Sequence, residues 1–246
     1  MIPNVAKAGM VRLGASLLTL ALCAVPALAG DRALIDFIGY SPDGSHFAFA
    51  EMGVQDGSGF PYANVYVLDV ANDSFVAGPF RVRMEEEGAT IADARQQALA
   101  AAKGTLAKLE TQFPVDLWAL SGDGIEGIVH SLDFGVPGYS APKTVQNGIT
   151  VKLETFEAPS AEPCGDYTDR PVLGFALSFT GETWETVHRD ERIPKSRGCP
   201  LDYSIFAVVA PMDAQELGQA VAIVSVYSLG FEGEDRRFIA VPLAIQ

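Results

Sequence analysis

From residue 34 onward, apolar residues alternate with polar ones in short runs, the period of β-strands with one buried face. The pattern predicts strands over 33–40 and 46–52, joined by the turn Ser41-Pro42-Asp43-Gly44. Proline fixes φ at the second turn position, and glycine accepts a positive φ near its end. A glycine-rich loop, Asp56-Gly57-Ser58-Gly59, leads to a strand over 64–70; Asn72-Asp73 marks the next turn, and 74–83 reads as a fourth strand. Residues 34–84 thus read as a β-meander.

The period then changes. Leu99, Ala102, Leu106 and Leu109 recur at helical spacing within a stretch rich in strong helix formers. Thr90 stands where an N-cap belongs, with Asp93 three residues on. Gly104 weakens the middle by about 1 kcal/mol, and Pro114 closes the segment. The expectation is one amphipathic helix over 90–111 covering a sheet face.

Beyond 115 the β pattern resumes, with strands expected over 125–134, 149–156, 172–179, 203–209, 221–229 and 237–245. Residues 149–154 alternate, giving one wet face. Residues 221–226 are apolar on both faces and belong in the middle of a packed sheet. Pro242 cannot donate to a ladder, which places the last strand at an edge. Long connections remain over 135–148, 157–171 and 187–201. The meander has no tandem repeat. The predicted fold is therefore mainly β with one amphipathic helix: a blade-like four-stranded meander, then a sandwich-like β-rich half over 115–246. The alternative is a small or incomplete β-propeller.

The N-terminus is different in kind. Lys7 and Arg12 precede an apolar run over 13–25, and Ala27-Leu28-Ala29 supplies a small-x-small cleavage pattern. The run is shorter than the about 20 residues of a membrane span. A lipid anchor at Cys23 wants a small residue before it, and Leu22 is not small. Residues 1–29 are thus expected to be a signal peptide cleaved near Ala29, leaving 30–246 as a single mainly-β domain in the bacterial periplasm or outside the cell. Lys7 and Arg12 leave with the signal, so 15 of the 17 cations face all 31 carboxylates, a net charge of −16. A field of that sign repels phosphate backbones and anionic bilayers. Nucleic acid and, after cleavage, membrane are excluded as expected partners; a small anionic ligand or a protein partner stays open.

Cys164 and Cys199 survive processing. An even count in an exported protein argues for a disulfide, stabilising by roughly 3–4 kcal/mol for a loop of this size. Zinc held with His188 is the rival, but no second histidine follows at ligand spacing.

Tyr40-Ser41-Pro42-Asp43-Gly44 with Phe47-Ala48-Phe49, then Asn64-Val65-Tyr66-Val67-Leu68-Asp69, resembles one blade of the β-propellers related to the Tol-system periplasmic protein. The likeness covers roughly 36–80 and occurs once, whereas a propeller takes about four blades. Four longer segments, "DFIGYSPDGSHFAFAEMGVQDGSGFPYANVYVLDV", "GPFRVRMEEEGAT", "RIPKSRGCPLDY" and "GFEGEDRRFIAV", resemble a family of predicted secreted bacterial proteins, the domain of unknown function 2259. That resemblance implies export and a single domain. It implies no activity.

Chemistry is sparse. HExxH, P-loop and GxSxG motifs are absent. Ser140 and Lys143 match SxxK, but the S-D-N and K-T-G partners are missing and Pro142 opposes the required helix. His46, His130 and His188 are scattered. Two clusters stand out. Arg189, Arg192, Lys195 and Arg197 crowd beside Cys199, and guanidinium forks suit carboxylate or phosphate. The same residues also suit a solvated loop with Asp190 and Glu191 as counter-charges. Glu51, Asp56 and Ser58 flank the glycine-rich loop and have the oxygen chemistry of a calcium ligand set, although Asp-Gly-Ser-Gly is ordinary turn chemistry. No metal and no cofactor is expected. The leading expectation is a non-catalytic binding or structural module; the alternative is a secreted hydrolase whose residues meet only in the fold.

Overall fold

The computed structural model describes residues 30–122, 127–137, 145–180, 183–214 and 217–244. The expected signal peptide and the 140–143 motif lie outside the described residues. The described residues are mainly β with one α-helix, as the pattern predicts. Strands β1 (Leu34–Tyr40), β2 (His46–Val54) and β3 (Pro61–Asp69) run antiparallel, and β4 (Ser74–Phe75) and β5 (Phe80–Arg83) both pair with β3. The expected fourth strand is thus split in two. Helix α1 (Ile91–Lys108) follows, and then β6 (Val115–Leu120) enters a second sheet. Strands β7 (Ser131–Pro137), β8 (Val145–Glu157), β9 (Leu173–Thr180) and β10 (Trp184–Arg189) form a third sheet in simple meander order. The chain then returns through β11 (Pro200–Pro211), β12 (Val221–Leu229) and β13 (Glu234–Pro242), which complete the second sheet in the order β13-β12-β11-β6.

The second sheet lies in the middle of the stack. On β12, Val221 and Ile223 pack toward the β1–β3 sheet with Phe47 and Phe49, while Ala222, Val224 and Val226 pack toward the β7–β10 sheet with Val151 and Leu177. Both faces of β12 are covered, which explains its unbroken apolar run. The first sheet is also covered twice. Phe47 and Phe49 face the middle sheet, whereas Ala48, Ala50, Ala63, Val65 and Val67 face α1. Among the described residues the sheets stack face to face and no ring of blades forms.

Local chemistry sets the elements. Asp43 in the first turn accepts from Ser41 Oγ at 2.6 Å and from the Ser45 N–H and Oγ at 3.0 and 2.8 Å. Those bonds hold its carboxyl down at about 2. Thr90 caps α1 through a reciprocal box with Asp93. The buried face of the helix is Ala94, Ala98, Ala102 and Leu106, one residue every turn, flanked by Leu99 and Leu109. Small side chains let it sit close on the alanines of β2 and β3.

Strand β13 is an edge, as Pro242 requires. Its free side is closed by the N-terminal segment: the Arg236 N–H donates to Asp31 O at 2.7 Å, and the Ala33 N–H to Arg236 O at 3.3 Å. Residue 30 must be glycine there, because a Cβ would stand 2.4 Å from Glu234 O.

Two strands escape the sequence pattern. Strand β6 carries Asp116 and Trp118 with a bulge against β11, and β10 falls where a loop is expected because Glu185, Thr186 and His188 interrupt any apolar run. Both lie at sheet edges, where one wet side removes the alternation signal.

Phe47 is fully buried between Tyr40 at 4.7 Å and Phe49 at 5.8 Å, ring centre to ring centre. Phe47→Ala is expected to cost about 3–5 kcal/mol, read from urea unfolding; a loss below about 1 kcal/mol would show that the two layers close over the cavity.

Candidate functional site

The first sheet builds a polar row on the face it turns toward the middle sheet. Glu51 of β2 sits directly opposite Asn64 of β3, and Asn64 sits opposite Arg81 of β5. Side chains directly opposite on neighbouring strands share a face. Glu51 occupies the same inward parity as Phe47 and Phe49, and it is 3 % exposed. Its Oε1 accepts from Asn64 Nδ2 at 3.0 Å and Tyr66 Oη at 2.7 Å; its Oε2 accepts from the Phe238 N–H at 3.1 Å. That last bond uses an amide on the free side of β13, next to the stretch that the N-terminal segment covers.

Glu51, Asn64, Tyr66 and Arg81 form one wall of a cleft of about 560 Å³. Phe75, Phe238 and Ile239 add apolar surface, and Ser196, Arg197 and Arg237 complete the polar lining. An aromatic ladder leads to it: Phe49 stacks on Tyr66 at 4.8 Å, and Tyr66 meets Phe75 at 5.5 Å. Burial beside the Glu51 carboxylate pushes the Tyr66 hydroxyl well up, so it stays a neutral donor.

Two of the three arginines have internal partners. Arg197, with its side chain 10 % exposed, donates to Asp190 Oδ2 at 2.5 Å and to Tyr203 Oη at 3.3 Å. Its guanidinium also lies 5.3 Å from the Phe175 ring. Burial works against the Asp190 charge, but His188, Arg197 and the Phe175 N–H hold its carboxyl below the usual range. Burial pushes Tyr203 up to about 12. Arg237 reaches Asp31 Oδ2 at 2.7 Å and covers the Tyr62 ring at 4.8 Å. Burial opposes its charge, and Tyr62, Asp31, Glu51 and Asp235 together more than offset that. Arg81 is exposed at the rim and makes no ion pair among the described residues.

The cationic cluster predicted from sequence does not converge. Arg189 lies over the Phe156 ring at 4.2 Å, Arg192 is exposed, and Lys195, 81 % exposed, stands 3.4 Å from Glu162. Arg197 alone turns into the cleft. Asp190 is its counter-charge, as the solvated-loop alternative anticipates, but the pair is buried. Cys164 and Cys199 are joined, with Cα atoms 5.6 Å apart across 35 residues. The bond staples the 157–171 connection to the loop that carries Arg197.

The Glu51, Asp56 and Ser58 group also separates. Asp56 accepts the Glu232 N–H at 2.6 Å, and Ser58 donates to Gln55 Oε1 at 3.2 Å. Both lie in the β2–β3 loop, while Glu51 faces the cleft. Among the described residues no group of three or more His, Cys, Asp or Glu is placed to hold a metal ion. Asn64, Tyr66, Phe75, Arg81 and Arg237 are cleft residues that sequence reasoning misses. A glutamate at an inward strand position was the available signal for the site as a whole.

The histidines form no catalytic relay among the described residues. Ser45 Oγ lies 2.7 Å from His46 Nδ1 and 2.8 Å from Asp43 Oδ1. The Asp43 carboxylate contacts the two serines and not the imidazole, whereas a nucleophile–base–acid chain has its acid on the imidazole. His188 stands 3.1 Å from Asp190 and stacks on Phe175, and His130 meets the Tyr203 carbonyl at 3.1 Å.

Fold and site together define a stack of open antiparallel sheets with an arginine-lined cleft at the junction of two of them. The chain belongs to the predicted secreted protein family DUF2259, whose model matches residues 48–244. No curated protein and no solved structure matches the chain. No helix among the described residues is long and apolar enough to cross a membrane.

Asp190→Ala removes the carboxylate that pairs with Arg197 among the described residues and is expected to cost about 3–5 kcal/mol at pH 7. A carboxyl held low in the fold stabilises fully above its unfolded value near 4 and loses that effect as pH falls through its folded value. The difference between variant and parent should therefore shrink below about pH 4. An equal difference at pH 7 and pH 3 in chemical denaturation would contradict it.

Proposed function

We propose that the protein is an exported, non-catalytic binding module of one domain, working in the periplasm or outside the cell after loss of residues 1–29. Its ligand is a small carboxylate-bearing molecule with an apolar body, taken up in the cleft between the first and middle sheets. The observation that carries this reading is the convergence of Arg81, Arg197 and Arg237 on one cleft with Phe75, Phe238 and Ile239. Once residues 1–29 are removed the chain has 15 cations against 31 carboxylates; Asp190 and Asp31 balance Arg197 and Arg237 at the cleft, which leaves the Arg81 guanidinium to meet an incoming anion. Arginine forks recognise carboxylates in two-point geometry. The cleft volume falls in the range of small-molecule sites, about 300–1,000 Å³. Phosphate polymers and anionic bilayers are disfavoured as partners by the net charge.

Two features support binding rather than turnover. Asn64 and Tyr66 both donate to Glu51, and aspartates hold Arg197 and Arg237 in place. Such a site is preorganised for an anion and holds no group poised to take a proton.

Isothermal titration with 3-phenylpropionate tests the proposal. The expected result is saturable one-site binding that weakens about tenfold or more in Arg81→Ala, with Arg192→Ala indistinguishable from the parent. Equal binding by parent and Arg81→Ala, or a loss confined to Arg192→Ala, would refute the cleft as the site.

A further inference from the structure

Glu51 is the unusual group of the cleft. It is a nearly inaccessible carboxylate whose three hydrogen bonds all come from neutral donors: an amide side chain, a phenol and a backbone N–H. Glutamate is almost never fully buried unless paired. Yet Glu51 makes no ion pair among the described residues. Of the other lining arginines, Arg197 pairs with Asp190 through Nη1 and Arg237 with Asp31 through Nη2, not with Glu51. A carboxylate offers about four acceptor positions, and three are filled. One position on a charged, desolvated group therefore remains for a donor arriving from the cleft.

The opposite charge is offered at the rim. Arg81 shares the cross-strand row with Glu51 through Asn64, and it has donors and no counter-ion among the described residues. Among the described residues one cleft thus presents a carboxylate and a guanidinium that make no contact ion pair, with aromatic and aliphatic surface in the same lining; Arg237 acts on Glu51 only from beyond ion-pair distance.

We propose, on the anion-binding reading above, that the ligand is a small zwitterion: its ammonium group goes to Glu51 and its carboxylate to Arg81 and Arg197. An apolar or aromatic side chain lies against Phe75, Phe238 and Ile239. The chemistry is that of an apolar amino acid or a short peptide. Ammonium-to-carboxylate hydrogen bonds are charge-assisted and roughly twice as strong as neutral ones, and a desolvated site strengthens them further. The pairing also explains why a glutamate, rather than a glutamine, stands at an inward strand position that Phe47 and Phe49 otherwise fill with aromatic rings.

Titration calorimetry with four phenylalanine-like probes separates the two halves of the proposal, and a dipeptide, L-phenylalanyl-L-phenylalanine, is the fifth. L-phenylalanine carries both charges, 3-phenylpropionate and N-acetyl-L-phenylalanine carry the carboxylate alone, and L-phenylalaninamide carries the ammonium alone. L-phenylalanine is expected to bind about tenfold tighter than each of the singly charged probes, and Glu51→Gln to bring it within about twofold of 3-phenylpropionate. Tighter binding of L-phenylalanyl-L-phenylalanine than of L-phenylalanine would assign the zwitterion to a peptide, and the reverse to a free amino acid. Equal binding of 3-phenylpropionate and L-phenylalanine overturns the ammonium site and leaves the anion reading standing. Equal binding of L-phenylalaninamide and L-phenylalanine overturns the anion reading instead. Absence of saturable binding by all of the probes overturns both. Thermal unfolding of Glu51→Gln checks that it folds; if it does not, the comparison of probes on the parent protein decides alone.

Discussion

The Glu51 carboxylate accepts the backbone N–H of Phe238, and this one bond ties the first sheet to the free side of the middle one. An edge strand leaves a row of unpaired amides, and an amide shut away from water without a partner costs about 1–3 kcal/mol. The N-terminal segment covers β13 at Arg236 with main-chain bonds and then turns away into β1. Glu51 continues the cover one step further with a side chain in place of a strand. That substitution has a consequence. A strand would have filled the space beside β13, whereas a side chain leaves room, and the cleft opens there.

The same interaction explains why charge accumulates at this junction. A carboxylate turned inward attracts and orients donors, and Asn64 and Tyr66 both point to it. Arg237 answers partly to Glu51 and partly to Asp31, whose own carboxyl is pushed up by burial and pulled back by Arg237 and Tyr62. Arg197 arrives from a separate part of the chain, fixed by Asp190 and by the Cys164–Cys199 staple. The walls are thus set by β-pairing on one side and by a crosslinked loop on the other. Neither wall needs to move to bring the arginines together, which suits a preorganised binding site.

Much of this was legible in the sequence where the cause is local. The Ser-Pro-Asp-Gly turn, the Thr90–Asp93 cap, the cysteine pair and the edge position enforced by Pro242 each follow from residues close together or from an elimination over a few candidates. The first half of the meander and strand β12 were legible for the same reason. The cleft was not. Arg81 and Glu51 are thirty positions apart, and only the registers β2–β3 and β3–β5 place them in one row. Arg197 was visible as one of four neighbouring cations, but which of the four turns inward depends on Asp190 being buried, and burial is a property of the fold. Strands β6 and β10 were missed because an edge strand with polar residues on its wet side resembles a loop in one dimension.

The most direct measurement follows the side-chain Nε–Hε resonances of the arginines by NMR while 3-phenylpropionate is added. Recognition in the cleft gives saturable shifts at Arg81 and Arg197 and none at Arg189 or Arg192. Shifts confined to Arg189 and Arg192, or no saturable shift at any arginine, would contradict it.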